Sequence, residues 1–264
     1  MSRRADDIGA RYDRLSGVYD ETREPLTKDE VDRLADILKR HEVQSILEVG
    51  VGTGRIAIPL QSKGFDVYGA DLSNGMLQKA RAKGLRNLLL GDANMMPFPE
   101  KTFDGVVLAH VIHLLDDPSE TFNRLAGLTR KCIVAIVRKR DWGVPFPDRN
   151  RTRLWDLIRE AAEKEGYHPP SGDWRQRFKR EDEFITAFGP DELLTIGDSE
   201  VVTTLGERLT LLEKRPYGYP SDIPDDAFRR IMAKVQSSVD INREIRYRRI
   251  EQVAIWRVGK SQRE

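Results

Sequence analysis

Short apolar runs alternate with amphipathic stretches along the first half of the chain. The apolar runs, each short enough for a strand buried on both faces, are residues 45–49, 66–70, 88–90, 103–110 and 132–138. Between them, apolar residues recur at the three- and four-residue spacing of a helix, as from Val31 to Leu38 and from Ile56 to Leu60. Strands that alternate with helices predict an α/β fold with a doubly wound sheet.

This alternation stops at Asp141, where a tryptophan, a glycine and two prolines follow within a few residues. We expect an inserted lid over residues 141–197 and a second insertion over residues 209–245. The further predicted elements are helices near 151–164, at 191–196 and at 225–235, and strands at 200–205 and 250–258. All of these segments are expected to belong to one domain that spans residues 1–264.

The first strand runs directly into a glycine-rich turn, Gly50-Val51-Gly52-Thr53-Gly54. Glycine allows backbone conformations that other residues avoid, and it lets a ligand approach the main chain closely. The spacing is G-x-G-x-G, whereas the turn that holds a dinucleotide pyrophosphate reads G-x-G-x-x-G. An adenosyl ligand is therefore favoured over a nicotinamide or flavin dinucleotide, and the alternative is a tight strand-to-helix connection without a ligand.

Acidic residues mark the ends of three successive strands. Glu48 lies at the end of the first strand, Asp71 at the end of the second, and Asp92 follows the third. Asp71 comes 21 residues after Gly50, close to the offset of about 20 at which an acidic residue reaches ribose hydroxyls in a βαβ nucleotide site. Asp92 followed by the small residue Ala93 suits the edge of an adenine ring, because the carboxylate accepts from an amine; a plain turn is the alternative.

Two histidines, His110 and His113, lie at the end of the fourth strand. The carboxyl edge of an open α/β sheet is where ligands bind, so these side chains are candidates for contact with the reacting groups. The alternative is that each is a structural histidine in the strand-to-helix connection.

Composition and charge exclude several classes of protein. The 264 residues carry a formal net charge of +1 with both signs spread along the chain, unlike a dedicated nucleic-acid-binding protein. No apolar stretch approaches the roughly 20 residues that span a bilayer, and the first residues lack the apolar core of a signal peptide, so a cytoplasmic protein with no membrane partner is expected. The single cysteine, Cys132, excludes an internal disulfide and a cysteine metal cluster, and its apolar run predicts a buried strand residue.

The glycine turn, taken together with the three acidic positions, resembles the class I S-adenosylmethionine-dependent methyltransferases, in the type 11-like branch that includes many small-molecule methyltransferases. The likeness extends over residues 12–137. It implies a Rossmann-like, seven-stranded sheet with a final antiparallel strand, which residues 250–258 can supply. It also implies S-adenosylmethionine as the cofactor.

The resemblance assigns roles to residues around that cofactor. Gly50 and Gly52 would line its methionine portion, and Glu48 would lie near its amino group. Asp71 would bind the ribose hydroxyls. The other side chains expected to contact the cofactor are Leu72, Met76, Asp92, Ala93, His110 and, by likeness to an amino-terminal aromatic cover that also includes Tyr12, Tyr19.

Methyl transfer from a sulfonium needs an acceptor placed in line with the sulfur–methyl bond, and a general base only where the acceptor must lose a proton. His110 or His113 is the candidate base, and the expected acceptor is an oxygen or nitrogen atom of a small molecule. No metal is expected. A metal-dependent catechol enzyme using Asp116 and Asp117 is an alternative, although this pair is more ordinary as the start of a helix.

The lid is where acceptor choice is expected to lie, because basic and aromatic residues are interleaved there. The basic residues are Arg149, Arg151, Arg153, Arg175, Arg177, Lys179 and Arg180, and the aromatic ones are Trp142, Phe146, Trp155, Tyr167 and Trp174. An aromatic, anionic small molecule, a tRNA held through its phosphates, and a solvated helix face with a few buried anchors are all compatible with this composition. A cofactor-binding regulator without turnover is a further alternative, and the sequence predicts no oligomeric state.

Overall fold

The computed structural model describes residues 3–141, 149–168, 174–215 and 223–259, which form one sheet with helices on both faces. The strands are β1 (Ser45–Val49), β2 (Asp66–Asp71), β3 (Asn87–Leu90), β4 (Phe103–Ala109), β5 (Thr129–Asp141), β6 (Glu192–Thr204) and β7 (Glu244–Arg257). The helices are α1 (Arg3–Leu15), α2 (Lys28–Arg40), α3 (Ala57–Ser62), α4 (Asn74–Ala82), α5 (Pro118–Leu128), α6 (Arg149–Lys164), α7 (Trp174–Phe188), α8 (Leu205–Glu213) and α9 (Asp225–Ser237).

Over the described residues, the sheet has seven strands in the order β3-β2-β1-β4-β5-β7-β6. The first five strands pair in parallel, whereas β7 runs antiparallel to both of its neighbours, β5 and β6. The predicted doubly wound sheet with a final antiparallel strand is thus confirmed. Strand order reverses between β1 and β4, and in such sheets the reversal leaves a ligand crevice at the carboxyl ends of the strands.

Successive residues of β1 supply the two apolar layers that hold the sheet between its helices. Ile46 packs in the layer that contains Leu34 and Leu38 of α2, while its neighbour Leu47 packs in the layer that contains Leu125 of α5. All five side chains are fully buried. Because adjacent strand residues face opposite sides, one short apolar run anchors helices on both faces and fixes where its carboxyl end lies.

A third apolar cluster joins α6, α8 and α9 apart from the two layers on the sheet. Ile158, Leu209 and Ile231 are buried at its centre. These helices come from the two segments predicted as insertions, on either side of β6. Among the described residues, the insertions therefore share a core of their own.

Residues 191–196 do not form the predicted short helix but begin β6. Leu194 and Ile196 pack against the apolar layer that contains α2, and the strand pairs with β7 along its length. Long-range strand pairing outweighs the local preference that indicated a helix. As a result, β6 begins inside the predicted lid, and both β6 and β7 start earlier than the strands predicted at 200–205 and 250–258.

Cys132 is fully buried in β5, as predicted, and burial raises the pKa of its thiol to about 12. A thiol in this environment stays protonated at neutral pH and is not a nucleophile. None of the described helices is long and apolar enough to cross a bilayer. Within the described ranges, no three His, Cys, Asp or Glu side chains are grouped to hold a metal ion.

Candidate cofactor and acceptor site

A cleft of about 840 Å³, measured out to its open mouth, lies at the carboxyl ends of β1, β2, β3 and β4. Its lining residues are Ala5, Ile8, Tyr12, Tyr19, Val49, Gly50, Gly52, Asp71, Leu72, Met76, Gly91, Asp92, Ala93, Asn94, Ala109, His110, Val111, Leu114, Leu115 and Asp116. The structure therefore brings nine of the predicted site residues to one cleft: Tyr19, Gly50, Gly52, Asp71, Leu72, Met76, Asp92, Ala93 and His110. Of the predicted residues, Glu48 and His113 lie outside this lining.

The glycine turn uses backbone conformations that L side chains rarely adopt. The φ angles of Gly50, Gly52 and Gly54 are +71°, +56° and +81°. A Cβ atom on Gly50 would lie 2.3 Å from Cγ1 of Val111, so this glycine also permits close packing against the segment after β4. A Cβ atom on Gly52 would meet nothing nearer than Cε1 of Tyr19, at 4.0 Å. Gly52 thus leaves open the part of the cleft beneath Tyr19.

Asp71 joins the glycine turn to the start of α4. One carboxylate oxygen accepts the Gly52 N–H and the other accepts the Ser73 N–H, each at 2.8 Å. Burial raises the pKa of Asp71, although these amide donors partly oppose that shift. Ser73 in turn caps α4, since its hydroxyl accepts the Met76 N–H at 3.1 Å. The carboxylate is therefore held at the cleft wall by main-chain donors from both sides.

Glu48 lies behind the cleft wall rather than on it. Its residue exposure is 2%, and burial raises the pKa of its carboxyl well above the ordinary value, with a bond from the Ala57 N–H opposing the shift. Its second oxygen, Oε2, is buried without a hydrogen-bond partner among the described residues. A buried acceptor of this kind is costly unless another donor completes it. The predicted role near the cofactor's amino group remains a prediction.

The wall beyond β3 is formed by a 3₁₀ turn, Ala93–Met95, whose second amide is fixed by a carboxylate. Asp92 caps this turn by accepting the Asn94 N–H at 2.9 Å, and Asp92, Ala93 and Asn94 all line the cleft. Leu72 and Met76 form the neighbouring apolar surface. A polar edge beside an apolar surface has the character expected of an adenine pocket, so these assignments stand as predictions.

The amino-terminal segment covers one side of the cleft. Helix α1 contributes Ala5, Ile8 and Tyr12 to the lining, and the rings of Tyr12 and Tyr19 meet edge to face with centroids 6.2 Å apart. Asp13, which the sequence analysis did not identify, accepts the Ser73 hydroxyl at 2.6 Å and the Gly75 N–H at 2.7 Å. These bonds fasten α1 to α4. Nothing local in the sequence marks Asp13, because its partners lie about 60 residues away.

His110 and His113 have different surroundings. His110 lines the cleft with φ of +57°, and its main-chain N–H donates to the Ile136 carbonyl at 3.2 Å. His113 instead points to α7, where its Nδ1 lies 2.7 Å from Oε1 of Glu181. These two side chains are only 8% and 6% exposed. The geometry therefore leaves His110 as the histidine on the cleft and places His113 in a buried pair.

The predicted basic and aromatic lid is described only in part. Trp142, Phe146 and the side chains of Arg149, Arg151, Arg153, Trp174, Arg175, Arg177 and Lys179 lie outside the described residues. Arg180 donates to the carbonyl oxygens of His113 and Leu115, at 3.1 and 3.2 Å. Trp155 and Tyr167 pack against the α6–α8–α9 cluster and do not line the cleft. The described members of the lid set are thus anchors rather than parts of the cleft wall.

The residues present suit a cationic sulfonium cofactor. Asp71, Asp92 and Asp116 supply carboxylates to the lining, and none of the described lining residues is Lys or Arg. Carboxylates accept from hydroxyl, amine and ammonium donors and favour positive charge nearby. The open space beneath Tyr19 also points to a ligand beside the glycine turn.

Comparison with known proteins agrees with this site. Residues 47–132 match the family described as "Methyltransferase domain". An uncharacterized methyltransferase of Geobacillus sp. (strain WCH70) is 31% identical over 167 residues, which cover 61% of this chain and 74% of the relative. A demethylmenaquinone methyltransferase of Renibacterium salmoninarum is 28% identical over 144 residues, covering 51% of this chain and 60% of the relative.

Similarity also extends to a solved structure, that of the cyclase SpnF, with a TM-score of 0.51, 15% sequence identity and coverage of 97% of both chains. This likeness shows the fold alone. The chain spans about half the length of the first curated relatives that it matches. Residues 47–132, which match the methyltransferase family, contain the glycine turn, Asp71 and Asp92. The chain therefore belongs to the class I S-adenosylmethionine-dependent methyltransferases, in the branch with a type 11-like methyltransferase domain, and S-adenosylmethionine is its cofactor.

Proposed function

We propose that this protein transfers the methyl group of S-adenosylmethionine to an oxygen or nitrogen atom of a small molecule. The observation that carries the proposal is the placement of Asp71, a carboxylate on the cleft wall held between the amides of Gly52 and Ser73. Fixed in this way beside an open glycine turn, it supplies an acceptor for paired hydroxyl groups. The family supports the reaction class, and the proposal adds the acceptor class.

S-adenosylmethionine supplies an electrophilic methyl group on a cationic sulfur. For this ligand, Asp71 would accept the ribose hydroxyls and Asp92 the adenine amine. Gly50 and Gly52 would let the methionine portion approach the main chain, and Glu48 would be near its amino group. The remaining contacts proposed for the cofactor are Tyr19, Leu72, Met76, Ala93 and His110.

The other end of the cleft is where we place the acceptor. Leu114 and Leu115 give that end apolar walls, and His110 reaches the lining from the segment directly after β4. Apolar walls exclude water from an acceptor and hold it in a fixed orientation, which accounts for much of the catalysis when the methyl donor is already a sulfonium cation. His110 is the proposed general base for an acceptor that must lose a proton.

Calorimetric titration with S-adenosylhomocysteine tests the cofactor half of the proposal. Asp71→Ala is expected to weaken binding by about 1.5–3 kcal/mol, because it removes hydrogen bonds to a charged acceptor. Asp198→Ala is the matched control: it removes a carboxylate paired with Arg248, outside the cleft lining, and is expected to bind as the wild type does. Failure of the wild type to bind, or equal binding by Asp71→Ala, contradicts the proposal.

Acceptor class needs a separate experiment, because the basic residues of the lid segment in the sequence favour RNA as a second candidate. Methyl transfer from labelled cofactor is measured against a panel of metabolites and RNAs at increasing salt. We expect labelling of a small molecule with little dependence on salt, because the described lining of the cleft has no Lys or Arg to bind phosphates. Labelling of RNA that falls steeply with salt supports the second candidate, and no labelling of any acceptor supports a cofactor-binding regulator.

A further inference from the structure

The segment between α1 and α2 crosses the glycine turn and is fastened there by one carboxylate. Asp20 accepts the Thr53 hydroxyl through Oδ1 at 2.5 Å and pairs through Oδ2 with Nζ of Lys83, also at 2.5 Å. The same Lys83 ammonium donates to the Thr53 carbonyl at 3.1 Å. Asp20 therefore connects the middle residue of the glycine turn with the end of α4.

Thr53 is placed so that its contacts fix the position of the glycine turn. It stands between Gly52 and Gly54, and its side chain is fully buried. Its hydroxyl donates to Asp20 and its carbonyl accepts from Lys83, so this pair holds the side chain and the main chain of Thr53 together. A shift of Asp20 would move the turn whose open face lines the cleft.

Tyr19, the neighbour of Asp20, forms the opposite side of that open space. Its ring atom Cε1 is the nearest atom to a Cβ built on Gly52, and the ring lines the cleft. Tyr12 meets the ring edge to face, and the Arg23 guanidinium lies 4.8 Å from the ring centroid. The Thr22 hydroxyl and N–H both donate to the Tyr19 carbonyl, which closes the short 3₁₀ turn that contains Asp20.

We propose that Asp20 is a positioning residue that holds Tyr19 over the glycine turn, where the cofactor binds. This inference rests on the proposed function. Asp20 does not line the cleft itself, so its effect on the cofactor passes through Tyr19 and Thr53. Its side chain and that of Lys83 are about two-fifths exposed, and pairs with such exposure contribute little to folding stability. Loss of the carboxylate is thus expected to affect binding more than folding.

Calorimetric titration with S-adenosylhomocysteine compares the wild type with two substitutions of Asp20. Asp20→Ala removes both contacts and is expected to weaken binding about tenfold, the equivalent of one charge-assisted hydrogen bond. Asp20→Asn keeps an acceptor for Thr53 and loses the ion pair, so its loss of affinity is expected to be smaller. Asp32→Ala is the matched control, because Asp32, like Asp20, is a carboxylate with two side-chain partners, here Lys28 and Lys63, but lies outside the cleft lining. Its affinity is expected to match that of the wild type.

A melting temperature and a double variant separate positioning from a general structural role. Asp20→Asn, which keeps an acceptor for the buried Thr53 hydroxyl, is expected to melt within about 2 °C of the wild type. In a Tyr19→Ala background, Asp20→Ala is expected to cause a smaller further loss of affinity, because part of its effect passes through Tyr19. Strictly additive losses, an affinity within twofold of the wild type, or a large drop in melting temperature each overturn the inference. If the wild type does not bind, the proposed function fails as well; if the wild type and Asp20→Ala bind equally, this inference alone fails.

Discussion

At the scale of single residues, glycines with similar backbone angles have different surroundings. Gly50 and Gly52 both have positive φ, but a side chain on Gly50 would strike Val111, whereas one on Gly52 would enter the cleft. Gly64, which follows α3, has φ of +92° and open space around its hypothetical Cβ. Substitution of these three glycines can therefore distinguish the effects of backbone strain, of a steric clash and of a side chain that enters the cleft.

Alanine substitution of the three glycines is expected to give three different results. Gly64→Ala should cost about 1–2 kcal/mol of unfolding free energy from strain alone, with no change in affinity for S-adenosylhomocysteine. Gly50→Ala adds a clash and should cost about 3 kcal/mol. Gly52→Ala should resemble Gly64→Ala in stability but lose about tenfold or more in affinity, because its methyl group enters the site. Urea denaturation and calorimetry give both quantities, and normal affinity of Gly52→Ala would show that the ligand does not lie there.

At the scale of elements, α7 is fastened to the wall of the cleft by charged and aromatic contacts. Glu181 pairs with His113, and Arg180 donates to two carbonyl oxygens of the segment after β4. Phe184 and Phe188 stack and pack near Trp256 of β7, whose Nε1 donates to the Phe188 carbonyl at 3.0 Å. The described part of the predicted lid thus includes an element built into the core, and its attachment supports Leu114 and Leu115 on the cleft wall.

Removal of His113 is expected to lower stability rather than to remove a catalytic base. His113→Ala leaves a buried carboxylate without its partner and should cost about 3 kcal/mol of unfolding free energy. His41→Ala is the matched control, because His41 lies 3.2 Å from Glu192 in a more exposed pair and should cost less than about 1 kcal/mol. The double variant His113→Leu/Glu181→Leu should be more stable than His113→Ala, since it leaves no unpaired charge. Thermal denaturation measures all three, and unchanged stability of His113→Ala with an altered pH–rate profile would restore the base hypothesis.

At the scale of the whole molecule, the pKa values of buried carboxylates differ between the carboxyl and amino ends of the parallel strands. At the carboxyl edge, burial raises the pKa values of Glu48 and Asp71. At the amino edge, burial also opposes ionisation of Asp104. Hydrogen bonds from the Ser45 amide, from Arg130 and from the Gln44 amide outweigh this effect and lower the pKa of Asp104 to about 2. Carboxylates with raised pKa values therefore gather beside the cleft, where a cationic ligand would favour their ionised forms, whereas Asp104 stabilises the fold.

This difference predicts how stability depends on pH through Asp104. Its folded-state pKa lies below the ordinary value of 3.8, so its contribution is present above pH 4 and is lost as pH falls through 2. Asp104→Asn is expected to be about 2 kcal/mol less stable than the wild type at pH 7, with the difference shrinking toward pH 2. Urea denaturation across this range measures it, and Asp226→Asn, an exposed carboxylate on α9, should show little difference at any pH. A deficit for Asp104→Asn that is as large at pH 2.5 as at pH 7 would contradict this origin.

The sequence alone determined the strand-helix alternation, the glycine turn and the acidic residues that end successive strands. It did so because burial patterns and turn chemistry are local, so β1 and the caps of α4 are encoded within a few neighbouring residues. For the same reason it indicated that Asp71, Asp92 and His110 share one edge of the sheet, since parallel strands end together. The first part of β6 was not predicted, because its strand character comes from pairing with β7, about 50 to 60 residues away.

Only the tertiary structure decided which side chains turn toward the cleft and which serve the frame around it. His110 and His113 are three residues apart and equivalent in sequence, yet one lines the cleft and the other pairs with Glu181, 68 residues away. Asp13 and Asp20 carry no local signal, because their partners come from the glycine turn and α4. Local sequence patterns thus determined the kind of site. Long-range contacts, which cannot be read from neighbouring residues, determined which side chains form its walls.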